Sequence, residues 1–131
     1  MQNSIPLSPP PRRPYSQSQD LPILKQTIEL YKTYYGYLEL FEKKDRHALG
    51  ITFELHLIAF IELLLEARYL PQTHKRPLLI KTNNKLETLK VLIRILKELR
   101  IIDYTKYIIL EQLLQEIGGM LGNWIKSAPR V

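Results

Sequence analysis

Apolar residues recur along this chain at alternating steps of three and four, the spacing that places them on one face of an α-helix. Four such blocks follow one another. The first is predicted from Asp20 to about Phe41, with Leu24, Ile28, Tyr31, Tyr35 and Leu38 on one face and Tyr34 and Tyr37 beside it. Asp20 is its expected cap, and Pro22 falls in the first turn, where a missing N–H does no harm. The second block is predicted over Asp45 to Tyr69, capped by Asp45, and carries two stripes. Leu49, Phe53, Leu57, Phe60, Leu64 and Ala67 form one; Ile51, Leu55, Ile58 and Leu65 form the other. One stripe satisfies a monomeric bundle, so the second predicts a central helix or one buried against another subunit, and self-association is the reading we adopt.

Pro71 should end the second helix, with Thr73 capping a third in which Pro77 still lies in the first turn. Leu86, Leu89, Ile93 and Leu96 form its inward seam. Asp103 should cap a fourth helix from Tyr104 to about Ser127, whose seam is Tyr107, Leu110, Leu114, Ile117, Leu121 and Trp124. That seam contains Gly118, Gly119 and Gly122. Mid-helix glycine costs about 1 kcal/mol relative to alanine, so the three need a packing reason, such as a close approach of two backbones; a helix break is the alternative. Trp124 and the glycines, with Ile51, Leu55, Ile58 and Leu65, are therefore the residues expected at an oligomer contact or a close helix packing.

Four helices with short connections predict an all-α fold, an antiparallel up-down-up-down four-helix bundle over residues 20–131. Ahead of it, residues 1–19 combine Pro6, Pro9, Pro10, Pro11 and Pro14 with Ser and Gln and show no apolar periodicity, which predicts a disordered proline-rich tail. With 45% hydrophobic and 24% charged residues the chain has the means to bury one core. It has no cysteine, which excludes disulfides, thiolate metal sites and a cysteine nucleophile and fits a cytoplasmic protein. The run Leu55 to Leu65 is broken by His56 and Glu62, short of the roughly 20 apolar residues of a bilayer span, so no membrane segment is expected.

Charge singles out the third block. Residues 71–102 hold eight Lys/Arg against two Glu, a surplus of six that equals the net charge of the whole chain. The rest of the protein is formally neutral, so the positive field is local and predicts a polyanionic partner. Lys90, Arg94 and Lys97 follow the helical steps along a strip beside the seam, spanning roughly 10 Å at 1.5 Å per residue. Lys81, Lys85 and Arg100 extend it, and these six residues form the predicted binding surface.

Little in the sequence supports catalysis. Glu54 and His56 lie two residues apart and so point in different directions, the Glu-x-x-His pairs of di-iron bundles do not occur, and His47, His56 and His74 are scattered. No glycine-rich phosphate loop lies between a strand and a helix. No catalytic residue, metal ligand or cofactor is expected.

The stretch from Leu110 to Lys126, with its G-x-x-L-G-x-W-I core from Gly118 to Ile125, resembles the C-terminal helix of the accessory variability determinant (Avd) proteins of diversity-generating retroelements. These are four-helix bundles related to the proteins encoded in ribosomal-RNA intervening sequences. The similarity extends to Asp20–Ile23, Lys43–Arg46 with Leu49 and Gly50, Glu66–Leu70, and Leu92–Arg94 through Leu99. It implies a ring-forming homo-oligomer, a pentamer, that binds the element's reverse transcriptase together with template RNA and cDNA, without catalysing a reaction itself. A protein–protein adaptor that never touches nucleic acid is the alternative on the residues alone.

Overall fold

The computed structural model describes residues 17–130 of the chain. Its four α-helices are α1 (Gln17–Leu38), α2 (Lys43–Tyr69), α3 (Lys75–Glu98) and α4 (Tyr104–Ser127). No strand occurs among the described residues. Each helix packs beside the next, and α1 closes the bundle against α4. The antiparallel sense follows from the contacts: Tyr34 meets Gly50, Tyr31 meets Glu54, and Lys75 meets Ala67 across successive connections. The expected tail, residues 1–19, lies outside the described residues apart from residues 17–19, which open α1.

α1 starts before its expected cap, so Asp20 lies inside the helix and Pro22 in the second turn, where it forfeits one i→i−4 bond. Its inward face also differs from the expected line. Ile23, Thr27, Leu30 and Tyr34 are buried, whereas Ile28 and Tyr35 are 52% and 57% exposed. Two internally satisfied polar groups explain the rotation. Thr27 donates its hydroxyl to the Ile23 carbonyl at 2.7 Å, and Tyr34 donates to the Gly50 carbonyl at 2.8 Å. A stripe read by hydrophobicity steps over both. The Tyr34 ring lies 4.2 Å from that of Phe53, and its burial, then the Glu54 charge, push the phenol well above its ordinary value.

α2 begins at Lys43 behind Glu42, so Asp45 is not its cap, and a wide π turn at Arg46–Gly50 precedes its regular part. Gly50 makes that entry possible. A Cβ there would stand 2.6 Å from Leu38 Cδ1 and 3.2 Å from the Asp45 carbonyl oxygen, so a side chain would displace the Leu38 methyl and crowd the turn. Phe53, Leu57, Phe60, Leu64 and Ala67 are buried as the first stripe requires. By length and composition α2 is apolar enough to cross a membrane, with a mean hydropathy of 1.9 over its best window, 28% of which is buried in the bundle. His56 and Glu62 interrupt the Leu55–Leu65 run without much lowering the average over the whole helix, because both of its faces are apolar.

α2 ends at Leu70 and Pro71, as expected. Thr73 does not cap α3. A 3₁₀ turn at Gln72–His74 leads into the helix, and the Thr73 hydroxyl lies 3.1 Å from His74 Nδ1 instead. Leu86, Leu89, Ile93 and Leu96 are fully buried. Asp103 does cap α4, its carboxylate accepting from the Lys106 N–H at 2.8 Å, and that bond is the chief reason its acidity is enhanced. α4 runs unbroken through Gly118, Gly119 and Gly122. Only at Gly118 does the bundle itself come near, a Cβ there lying 3.4 Å from Leu86 Cδ2; at Gly119 and Gly122 none of the described residues would lie within 4 Å of it.

Candidate nucleic-acid interface

The fold sorts the eight cations of residues 71–102 into three groups. The first is internal. Lys75 is fully buried, and its Nζ donates to the Ala67 and Arg68 carbonyls at 2.6 and 3.1 Å while lying 5.9 Å from the centre of the Trp124 ring. Those carbonyls belong to the last turn of α2, the negative end of the helix dipole. Arg76 does the same for α4, donating to the Ile125 and Ala128 carbonyls at 2.7 and 3.3 Å. The positive charge at the start of α3 thus binds two helix ends and contributes little outward field. Trp124, 1% exposed, is a packing residue of this end and not part of an outer face.

The second group faces α2. Lys85 Nζ lies 3.1 Å from His56 Nδ1, and burial, then this cation, hold the imidazole below its ordinary pKa. Lys81 is exposed one turn earlier.

The third group lines the edge that α3 shares with α4. Lys90 pairs with Glu87 at 3.2 Å, and its Nζ would lie 3.6 Å from a Cβ at Gly118. Arg94 pairs with Glu98 at 2.9 Å, and that hydrogen bond chiefly raises the guanidinium above its usual value, with a smaller contribution from Tyr107. Lys97 sits over the Tyr107 ring, 4.4 Å from its centre. Arg100 is exposed in the α3–α4 connection. These side chains run from mid-bundle to one end, and the i+3 and i+4 partners Glu87 and Glu98 are exposed, so screening by solvent leaves them exchangeable for phosphate oxygens.

Arg100 is also the one non-glycine residue with positive φ among the described residues, at 61°. The bonds around it explain why. Ile101 N–H donates to the Leu96 carbonyl and Arg100 N–H to that of Lys97, both at 2.9 Å, the pattern that ends a helix with a left-handed residue. Glycine is the usual occupant of that place; here an arginine holds it.

Of the six predicted residues, the structure therefore brings Lys90, Arg94 and Lys97 to one edge, leaves Arg100 in the connection at its end, where it also adjoins Leu40, Glu42 and Lys44, and turns Lys85 toward α2, with Lys81 one turn from it. Sequence reasoning missed one neighbour of that edge, Tyr104, which is 68% exposed beside Tyr107. Lys106, in the same turn, faces α1 instead, 5.7 Å from the Tyr37 ring.

The predicted oligomer residues divide as well. Ile51, Leu55, Ile58 and Leu65 are 40%, 60%, 38% and 39% exposed, an apolar face that the described residues cover only in part. Among the described residues no group of three or more His, Asp or Glu could hold a metal ion.

A family described as bAvd-like fits residues 21–128. No curated protein and no solved structure matches the chain.

Proposed function

The chain belongs to the bAvd-like family, and on that premise we propose that it is the non-catalytic accessory protein of a diversity-generating retroelement. In this role it binds the element's reverse transcriptase and the nucleic acid being copied, template RNA and cDNA. The observation that carries the binding is the sorting of charge. Once Lys75 and Arg76 are used inside the bundle, the remaining cations of residues 71–102 are toward its surface, with Lys90, Arg94 and Lys97 along one edge and Arg100 at its end. Contacts from such an edge to phosphates are independent of sequence, which suits a protein that must follow a polymerase along any template.

Self-association completes the proposal. The exposed α2 face of Ile51, Leu55, Ile58 and Leu65 has the composition of a subunit contact, and α4 has room beside Gly119 and Gly122 for a second backbone. A closed ring, a pentamer as in related proteins, repeats the basic edge around its circumference. Engagement of one copy then raises the effective concentration of phosphates at the next, so modest single-site attraction becomes firm binding.

The test is co-expression of the tagged chain with the reverse transcriptase encoded beside it, followed by capture with and without nuclease. Recovery of the polymerase supports the accessory role. Failure to recover it in either condition would contradict the proposal, and undiminished recovery together with no affinity for RNA would favour a protein adaptor.

A further inference from the structure

The end of the α3–α4 edge carries more than charge. Tyr104, in the first turn of α4, is 68% exposed, while its neighbour Tyr107 lies 6.3 Å away, ring centre to ring centre, with the two planes inclined by 35°. Lys97 covers one side of Tyr107, 4.4 Å from the ring centre, and Arg100 stands in the adjoining connection. An aromatic ring left open to water forgoes the burial that usually holds such residues in place. Tyr104 is more exposed than Tyr35, at 57%, or Tyr69, at 60%. The geometry at Arg100 points the same way, because an arginine occupies a left-handed position at φ 61° where glycine costs less.

We propose that this end of the edge is a stacking site for single-stranded nucleic acid: an unpaired base lies on Tyr104, and Lys97 and Arg100 hold the phosphates on either side of it. The inference rests on the nucleic-acid reading of the basic edge and specifies its ligand. A duplex keeps its bases stacked on one another and offers the ring nothing, whereas every base of a single strand has a π-face to give. An acidic protein surface would use the cations and leave the ring without a role. The site therefore selects for the unpaired segments of a template, or the nascent strand before it pairs.

The experiment measures anisotropy of a labelled single strand of about ten nucleotides, of an abasic strand with the same phosphates, and of a duplex. Each is titrated with wild type, Tyr104→Ala and Tyr104→Phe, with circular dichroism confirming the fold of each variant. Tyr104→Ala is expected to weaken single-strand binding about tenfold, the loss of one base–aromatic stack, and Tyr104→Phe to keep it. Wild type should bind the abasic strand about as weakly as Tyr104→Ala binds the normal one, and duplex affinity should not change. Equal wild-type affinity for normal and abasic strands, or a Tyr104→Ala loss that persists on the abasic strand, would overturn the stacking site and leave the basic edge standing. No binding to any of the three would overturn both.

Discussion

Replacing Arg100 by glycine should move stability and binding in opposite directions. The residue sits at φ 61° in the bond pattern that closes α3. A side chain in that conformation costs about 1–2 kcal/mol, because Cβ crowds the following carbonyl oxygen. Glycine removes the crowding but gives the unfolded chain more freedom, returning roughly 0.5–1 kcal/mol to the other side. The net gain is about 0.5–1 kcal/mol, a rise of roughly 2–5 °C in the thermal midpoint for a domain of this size. The same change removes one cation from the edge. A phosphate contact on a single strand contributes a salt slope of about 0.7, so its loss near 0.1 M salt weakens binding roughly threefold to fivefold. Scanning calorimetry at fixed protein concentration and anisotropy with a single-stranded oligonucleotide read the two effects. A lower midpoint would show that the arginine contributes to the fold through contacts outweighing the strain, and unchanged affinity would remove Arg100 from the interface.

Three further outcomes follow from other parts of the molecule. Lys75→Met should destabilise the bundle by about 2 kcal/mol, since it removes donors from two terminal carbonyls of α2, and should lower the urea midpoint by roughly 1 M; a midpoint within error of wild type would mean those carbonyls find other donors. His56 has a folded pKa below its ordinary 6.5, so between the two values the unfolded chain binds more protons and stability rises with pH. Its contribution is complete above 6.5 and is lost as pH falls through the folded value, so urea midpoints from about pH 7 to about pH 5 should decline more steeply in wild type than in His56→Gln; parallel curves would refute the assignment. Leu55→Glu places a carboxylate in the middle of the exposed α2 face and should shift sedimentation toward the monomer with helicity unchanged; an unchanged assembly would put the subunit contact elsewhere.

Much of the fold was legible because the helices obey simple rules. The α4 limits, its Asp103 cap, its seam and the inward residues of α2 and α3 all follow from apolar spacing and a single capping carboxylate. Reading failed where polar groups take core positions or where backbone geometry overrides composition. Thr27 and Tyr34 rotate the face of α1 because each satisfies its hydroxyl on a carbonyl. The entry of α2 depends on a π turn and the space at Gly50, neither of which has a period to detect. The basic surface was legible as a segment but not as a surface. Nothing in the spelling of residues 71–102 distinguishes Lys75 and Arg76, which close helix ends, from Lys90, Arg94 and Lys97, which do not. That division depends on which carbonyls happen to lie within reach once the bundle is folded. Tyr104 was passed over because it lies outside the apolar seam of α4, whose period begins at Tyr107.

Binding of a single-stranded RNA measured against salt concentration tests the basic edge most directly. Four phosphate contacts per engaged subunit, from Lys90, Arg94, Lys97 and Arg100, predict that log affinity falls with log salt at a slope of about −3, a roughly fiftyfold loss between about 50 and about 200 mM. Charge reversal as Lys90→Glu, Arg94→Glu and Lys97→Glu together should reduce the slope to about −1 or abolish binding, with helicity retained. An affinity that does not change with salt, or a triple variant that binds as wild type does, would contradict the account.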